Sequence, residues 1–472
     1  MSKDVHSVDV LVIGGGPGGA TASTVIAMQG HSVLLLERDQ FPRHQIGESL
    51  LPHTLGICKL LGVLDEVEAA GFTPKNGGVW YWGSCDKPGW GFDFGEAARP
   101  PSFGKHYAYQ VERHRFDEIL LRNAQRKGVD VRQRHKVEEL IEDNGRIVGA
   151  HYTDAEGGRH TVKAKYVVDA GGHSSPHYRL TGERVFADRF RNLALYCYYA
   201  GGKRLPAPQQ GSILNVSFDK GWFWYIPLSP TLTSVGAVIS IEYAELLKQG
   251  YGVAMQQFID SCPKIKEYIG DTPRVTEGMY GEYRVRKDWS YCNSKFWRPG
   301  LVLVGDVACF VDPLFSSGIH LSTYSALLAA RSINTALKGD AIAEDQLFRE
   351  FEERYRYEYY TFYEFLAVFY DTNRDKEEYF AQANRILQTK HTDRQAFVSL
   401  VSGFSSEASS FFENRSAESD TKGKPGADPN AIFTRAVVDI HILAKTGEAQ
   451  PVPSATNTPL VPSKDGFHWM IA

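Results

Sequence analysis

The run Gly14-Gly15-Gly16-Pro17-Gly18-Gly19 satisfies Gly-x-Gly-x-x-Gly. Such glycines allow a tight turn and close approach of backbone to a pyrophosphate. A helix opening there favours the phosphate charge with its N-terminus. Glu37 follows at the spacing where an acid binds ribose hydroxyls. A second stretch with chemical potential is Gly221-Trp222-Phe223-Trp224-Tyr225-Ile226-Pro227. Side chains alternate along a strand, so Trp222, Trp224 and Ile226 share one face. Two indoles on one face either pack a core or, beside a redox cofactor, wall it off from an organic substrate. A walled-off redox centre must hand its oxidising power to something small, such as chloride.

Particular elements must position these residues. Residues 8–13 (Val-Asp-Val-Leu-Val-Ile) predict a buried parallel strand, Gly14–Gly19 a turn, Ala20–Gln29 a helix ended by Gly30, and His31–Glu37 a second strand. Residues 110–124 predict an amphipathic helix, and strand-like stretches recur to about Ala170. Between roughly 185 and 300, alternating segments such as Asn192–Tyr199 and Ser234–Ile241 predict a sheet-rich substrate region. Residues 301–304 return to a buried strand, followed by a turn and a helix through Leu337. The aromatics from Asp345 to Tyr370 have the spacing of a core-packing helix. Residues 405–430 read as a flexible segment, 432–446 as one short helix, and the Pro-rich 451–463 as extended. The expected organisation is a core over 1–340 with the substrate region inserted at about 185–300, a helical region over 341–404, and a partly flexible tail over 405–472.

Composition narrows the function classes. A net charge of −4 gives no electrostatic case for nucleic acid or an anionic membrane. The cysteines at 58, 85, 197, 262, 292 and 309 are scattered and form no Cys-x-x-Cys pair, so neither a metal site nor a disulfide framework is indicated. Residues 1–8 carry no signal-peptide pattern and no apolar run reaches membrane-spanning length, so the expected location is the reducing cytoplasm.

Later motifs select FAD over NAD. Val167-Val168-Asp169-Ala170-Gly171-Gly172 is a strand ending in a small-residue turn. Leu303-Val304-Gly305-Asp306 places Asp306 to accept a hydrogen bond from a ribityl hydroxyl. Asp312-Pro313 through Ser317-Gly318 starts a helix whose N-terminus can face a flavin ring. In order and spacing these resemble the FAD monooxygenase superfamily, the fold of p-hydroxybenzoate hydroxylase. The resemblance implies an α/β FAD-binding fold with a sheet-rich substrate region and a C-terminal helical extension. It assigns to the cofactor Gly14, Gly16, Pro17, Gly19, Ala20, Glu37, Arg38, Gly47, Glu48, Ser49, Asp169, Gly171, Gly305, Asp306, Pro313, Gly318 and Ile319. Gln110 and Arg113, in Gln-Val-Glu-Arg, match the superfamily's flavin-contacting helix start.

Within that superfamily the chain resembles flavin-dependent halogenases of the phenol and tyrosyl type, as in the chondrochloren and chloramphenicol pathways, over roughly residues 8–400. Trp222-x-Trp224-x-Ile226-Pro227 is their signature, and Gly47-Glu48-Ser49 resembles their strap. Lys75 falls at their catalytic lysine, and Phe310 to Gly318 matches their halide-binding turn, with Ser317 and Gly318 at the halide. The resemblance implies that FAD, as FADH2, and oxygen oxidise chloride or bromide to an electrophile. It also implies that the electrophile reaches Lys75, which hydrogen-bonds hypochlorous acid or becomes a chloramine. A lysine of depressed pKa suits that role. Trp222 and Trp224 would keep substrate from flavin, and Trp80, Tyr81 and Trp82 either stack on the substrate ring or pack the core.

Other implied partners are a separate flavin reductase, since no second Gly-rich nucleotide motif is visible, and a carrier protein bearing the substrate. Antibiotic-type, nonribosomal-peptide biosynthesis is the implied setting. An aromatic hydroxylase or FAD reductase on the same fold is an alternative that Trp222, Trp224 and Lys75 count against. A non-catalytic flavin-binding protein is a further alternative that the intact motifs count against.

Overall fold

The computed structural model describes residues 6–83, 88–98, 105–339, 342–404 and 460–471. The expected flexible segment 405–430, the short helix 432–446 and most of the Pro-rich run lie outside the described residues.

A parallel sheet carries the nucleotide motif. Strand His6–Ile13 lies between Val33–Glu37 and Arg159–Asp169, with Asp130–Gln133 and Leu301–Leu303 beyond them, all paired in parallel. Val10, Leu11, Val12 and Val33 to Leu36 are buried without alternation, as strands of a covered parallel sheet are. Helices Pro17–Ala27 and Gly318–Lys338 pack closely on each other. A Cβ at Gly18 would stand 2.6 Å from Ser322 Oγ, so the small residue lets the two helices approach without displacing that hydroxyl. The first helix opens at Pro17, earlier than the expected Ala20, because proline's fixed φ and missing N–H suit a first turn. The second strand opens at Val33, after the turn at 28–30 and an irregular His31 and Ser32. The helix expected from residue 110 starts at Arg113. Gln110 instead ends the strand Ala108–Gln110, whose pairing with Thr73–Lys75 overrides the helical pattern.

The second sheet runs Cys309–Phe310, Arg284–Asn293, Arg184–Tyr199, Leu232–Ser240, Gly221–Ser229, Ile213–Phe218, Gly77–Tyr81, Trp90–Asp93. Its two faces differ. Tyr196, Tyr198, Trp222, Trp224 and Ile226 face the main core. Leu195, Cys197, Phe223, Tyr225 and Val235 face the helices Tyr251–Asp260 and Pro263–Ile269. The alternation expected of Trp222, Trp224 and Ile226 therefore holds, and both faces of this sheet are covered.

Helix Glu344–Phe369 buries most of its aromatics against the core, and Glu344 and Asp345 in its first turn suit the helix dipole. Helices Lys376–Leu387 and Asp393–Val401 follow, the latter opened by a Thr392–Gln395 capping box. The chain's end returns to the core. Leu460–Pro462 and Trp469–Ile471 form a hairpin, and buried Trp469 donates to Ser332 Oγ at 2.9 Å under the Arg331 guanidinium. No described helix is long and apolar enough to cross a membrane.

Candidate active site

Lys75 is placed by a two-stranded sheet and the strap bridged to its edge. It ends Thr73–Lys75, which pairs with Ala108–Gln110. The far edge of Ala108–Gln110 carries the strap: Leu50 N–H donates to the Tyr109 carbonyl at 2.9 Å and Val111 N–H to the Glu48 carbonyl at 2.7 Å. Lys75 reaches across and donates from Nζ to the Leu50 carbonyl at 2.9 Å. The side chain is 2% exposed, with Nζ 5.3 Å from the centre of the Phe94 ring. Burial alone lowers its pKa to about 7. Much of it is therefore a free amine at neutral pH, and a free amine is a nucleophile.

The two indoles are tied to the chain differently. Trp222 Nε1–H donates to Tyr370 Oη at 2.8 Å, and Tyr370 donates to Asp312 Oδ2 at 2.7 Å. Asn192 donates to the same oxygen at 3.0 Å, and Asp312 Oδ1 accepts from Leu314 N–H at 3.1 Å. This chain joins the aromatic strand to the turn 310–318. Burial pushes the Asp312 carboxyl up to about 6, against the pull of those donors. Trp224 donates to Ser234 Oγ at 3.1 Å. Glu48 Oε1 accepts from Tyr198 at 2.8 Å, His44 Nε2 lies 2.8 Å from the same Tyr198 hydroxyl, and Ser234 favours the Glu48 carboxylate. Glu48 is buried, and burial raises its pKa to about 7.

Ser317 caps the helix Gly318–Lys338, and its hydroxyl is buried without a partner. A Cβ built on Gly318 meets nothing within 4 Å. The N-terminus of a long helix thus opens on a recessed space beside an uncommitted hydroxyl, an arrangement that favours a small anion.

The nucleotide motif has the geometry its glycines demand. A Cβ on Gly19 would lie 1.9 Å from the Gly14 carbonyl oxygen, and Gly14 itself has φ +94°. Gly16 caps the helix whose first turns hold Pro17 and Ala20. The Glu37 carboxylate accepts from Gly15 N–H at 2.6 Å and Asp39 N–H at 2.7 Å. Arg38 is more exposed and donates to Ser174 at 3.3 Å. Arg113 is bound to Asp117 at 2.7 Å and donates to the Ile46 and Gly47 carbonyls, so it holds the strap. Asp169 is taken up inside its own turn by Gly171 N–H at 2.8 Å, His177 Nδ1 at 2.9 Å and Ser175 Oγ. Asp306, beside Gly305, is recessed. Burial pushes its carboxyl up to about 6, offset by Arg113, Arg286 and Arg184. Ser49 Oγ, Gln110 Oε1 and Glu48 Oε2 are buried and lack partners. Those uncommitted polar atoms, with Asp306 and the glycine-lined helix start, fit a polar dinucleotide such as FAD lying along the strap. Pro313 and Ile319 bracket the Ser317-Gly318 turn.

Trp80 and Trp82 belong to the core. Trp80 stacks on Phe92 at 5.1 Å, and Trp82 donates to the Phe369 carbonyl at 2.8 Å. Tyr81 lies under Lys264. Sequence reasoning missed Tyr370, Asn192, Ser234 and the Leu50 carbonyl. Tyr370 carries only the signal of a helix-end aromatic, and a backbone carbonyl carries none. Among the described residues no cluster could hold a metal ion.

The family model for tryptophan halogenase matches residues 9–106 and 97–424. A Chondromyces crocatus protein described as tryptophan 2-halogenase is 34% identical over 409 residues, covering 84% of this chain and 76% of that one. A Pseudomonas fluorescens 1H-pyrrole-2-carbonyl peptidyl-carrier-protein chlorinase is 30% identical over 393 residues, covering 78% of this chain and 84% of its own. The structure of the myxobacterial chondrochloren halogenase CndH, described as a new variant of FAD-dependent halogenases, matches with a TM-score of 0.78 and 49% identity. It covers 98% of this chain and all of CndH.

Proposed function

This chain belongs to the tryptophan halogenase family of flavin-dependent halogenases, and from that premise we propose that it halogenates a phenolic, tyrosyl-type ring delivered on a carrier protein. It is an oxidoreductase that uses FAD as FADH2 together with a halide. When bound, the reduced flavin with oxygen supplies the two-electron oxidation that turns halide into an electrophile. The chain's residues do the rest. The Gly14–Gly19 turn, Glu37, the Gly47-Glu48-Ser49 strap and Asp306 bind and orient the cofactor. Ser317 and the Gly318 N–H hold the halide. Trp222 and Trp224 exclude the organic ring from the cofactor. Lys75 receives the electrophilic halogen at Nζ and presents it to the substrate ring.

The observation that carries this reading is the amine of Lys75, buried, without a carboxylate partner among the described residues, held on the Leu50 carbonyl and with its pKa lowered by burial to about 7. Flavin-dependent halogenases draw FADH2 from a separate reductase, and a single dinucleotide motif in this chain agrees with that arrangement. The carrier is supported by the Pseudomonas relative, a chlorinase of a carrier-bound acyl group. A second reading, halogenation of an indole, is favoured by the name of the Chondromyces relative.

Mass spectrometry of parallel assays separates these. Tyrosine or a derived phenol on its carrier should gain halogen, with little turnover of free tyrosine and none of tryptophan. A tethered group gains binding energy from the carrier surface that the free amino acid lacks. Saturable halogenation of free tyrosine with no gain from loading would refute the tether, and turnover of tryptophan would install the second reading.

Gly318→Ala gives a sharper test of the halide turn. The added methyl meets no protein atom, so folding should be unchanged. It stands in the recessed space before the helix N-terminus, and the KM for halide should rise about tenfold, the equivalent of losing about 1.4 kcal/mol of anion binding. An unchanged halide KM would move the halide elsewhere.

A further inference from the structure

The second sheet holds a pair of thiols that no step above uses. Cys292, near the end of Arg284–Asn293, is directly opposite Cys309 in the antiparallel pairing with Cys309–Phe310. Asn293 N–H donates to the Ala308 carbonyl at 2.9 Å. Antiparallel pairs alternate, so Cys292 and Cys309 occupy the next, non-hydrogen-bonded pair. Cα atoms at such a pair lie about 4.5 Å apart with side chains on the same face. That separation falls inside the roughly 4.4–6.8 Å range that a disulfide spans. Both cysteines are reduced and buried, and the Cys292 thiol lies 3.6 Å from the Asn293 carbonyl oxygen.

The two sulfurs are not equivalent. Arg356 places Nη1 3.2 Å from Cys292 Sγ. Its other donors are fixed on Glu352 at 2.8 Å and on the Asn293 and Ser294 carbonyls at 2.8 Å. The guanidinium and the Cys309 thiol favour the Cys292 thiolate, and the Cys292 pKa is lowered despite burial. Burial and the neighbouring sulfur raise that of Cys309. One thiol is activated and the other stands ready to resolve, the division of labour of a redox pair. The position also matters, because Cys309 leads directly into the turn from Phe310 to Gly318.

We propose that Cys292 and Cys309 form a redox-active dithiol that closes to a disulfide when oxidant made by the enzyme escapes capture. This rests on the halogenase reading only for the source of that oxidant. With hypochlorous acid, the Cys292 thiolate attacks chlorine, forming an S–Cl bond and releasing hydroxide. Cys309 gives its proton to that hydroxide, making water, and its sulfur attacks Cys292 and displaces chloride. Two thiols lose two electrons and chlorine gains them. Hydrogen peroxide follows the same path through a sulfenic acid: the first hydroxide takes the Cys309 proton and leaves as water, and the sulfenic hydroxyl is displaced as hydroxide, which takes a proton from solvent. The closed bond would fix the strand that feeds the 310–318 turn to its neighbour.

The test uses the full-length, FAD-loaded protein. It is treated with one equivalent of hypochlorous acid or hydrogen peroxide, unfolded in alkylating reagent without reductant, and digested for mass spectrometry. The expected product is a linked Cys292–Cys309 peptide, restored to two alkylated peptides by dithiothreitol. It should form at least tenfold faster than oxidation of Cys58, which is buried without an activating cation. In Cys292→Ser, Cys309 should form no intramolecular link. In Arg356→Gln, checked for native circular dichroism, closure should slow at neutral pH and recover at alkaline pH. Alkylation of both cysteines at the rate of Cys58, or conversion of each to sulfinic acid without a link, would overturn the dithiol. The thiol readout needs no halogenated product, so its failure leaves the substrate proposal untouched.

Discussion

Lys75→Met should lower halogenated product by about 10²–10⁴-fold, the range lost with a positioned catalytic group, while FAD binding and oxygen consumption stay near the parent's. Lys75 lies on Thr73–Lys75, apart from the Gly14–Gly19 turn, the 305–306 turn and the helix at Gly318. Methionine keeps the length of the side chain and removes the amine. The oxidant would still form and would be lost to water. The same substitution carries a pH signature of its own. The folded pKa of Lys75 is lowered to about 7 from an ordinary 10.5. Below about 7 both folded and unfolded chains are protonated, and the full cost of burying the ammonium is present. Between about 7 and 10.5 only the unfolded chain binds the proton, so stability rises with pH as that cost is relieved. Methionine has no such cost. Lys75→Met should therefore raise the melting temperature more at pH 6 than at pH 10. The bond to the Leu50 carbonyl is stronger from the ammonium than from the amine, so its loss opposes that difference, and the comparison reads the burial cost net of it. Halogenation by the parent should rise as pH passes about 7, because the uncharged amine is the nucleophile. Normal product from the methionine variant would show that another group delivers the halogen.

What could be read from the sequence was whatever local spacing encodes. The glycine turn, Glu37 at the strand end and the shared face of Trp222 and Trp224 all follow from repeat periods of the backbone. Lys75 has no local signal beyond its motif, and its meaning comes from burial across the Ala108–Gln110 strand. The link from Trp222 through Tyr370 to Asp312 joins residues far apart in the chain, and Tyr370 looks from the sequence like any packing aromatic. Asp169 is assigned to the cofactor by resemblance alone, and that its carboxylate also binds Gly171 and His177 within its own turn is visible only in three dimensions. Gln110 looked helical because the following residues are, and strand pairing decided otherwise. Cysteine spacing concealed the Cys292–Cys309 pair, since cross-strand neighbours need no short sequence separation.

The Trp222–Tyr370–Asp312 chain turns the indoles from a passive wall into a testable device. Tyr370→Phe keeps the ring and removes one hydroxyl. Trp222 Nε1–H then loses its acceptor and Asp312 Oδ2 loses one of its two donors. The Trp222 N–H, left unpaired, costs about 1–3 kcal/mol, while Asp312 keeps its bond from Asn192. That strain falls on the aromatic strand and on the turn leading to Ser317 and Gly318. Coupling should suffer more than binding: hydrogen peroxide per FADH2 consumed should rise severalfold and halogenated product fall about tenfold, with FAD affinity little changed. Trp224→Ala should uncouple further. It opens the wall itself, admits water, and leaves a core cavity costing about 3–5 kcal/mol. Neither variant should become an efficient hydroxylase, because removing one indole does not build a site that orients a ring against the flavin. Peroxide yield and product yield, measured on the same FADH2 supply, read this directly. Unchanged coupling in both variants would leave Trp222 and Trp224 as packing residues of a covered sheet, and the separation of substrate from cofactor would have to be sought in other residues.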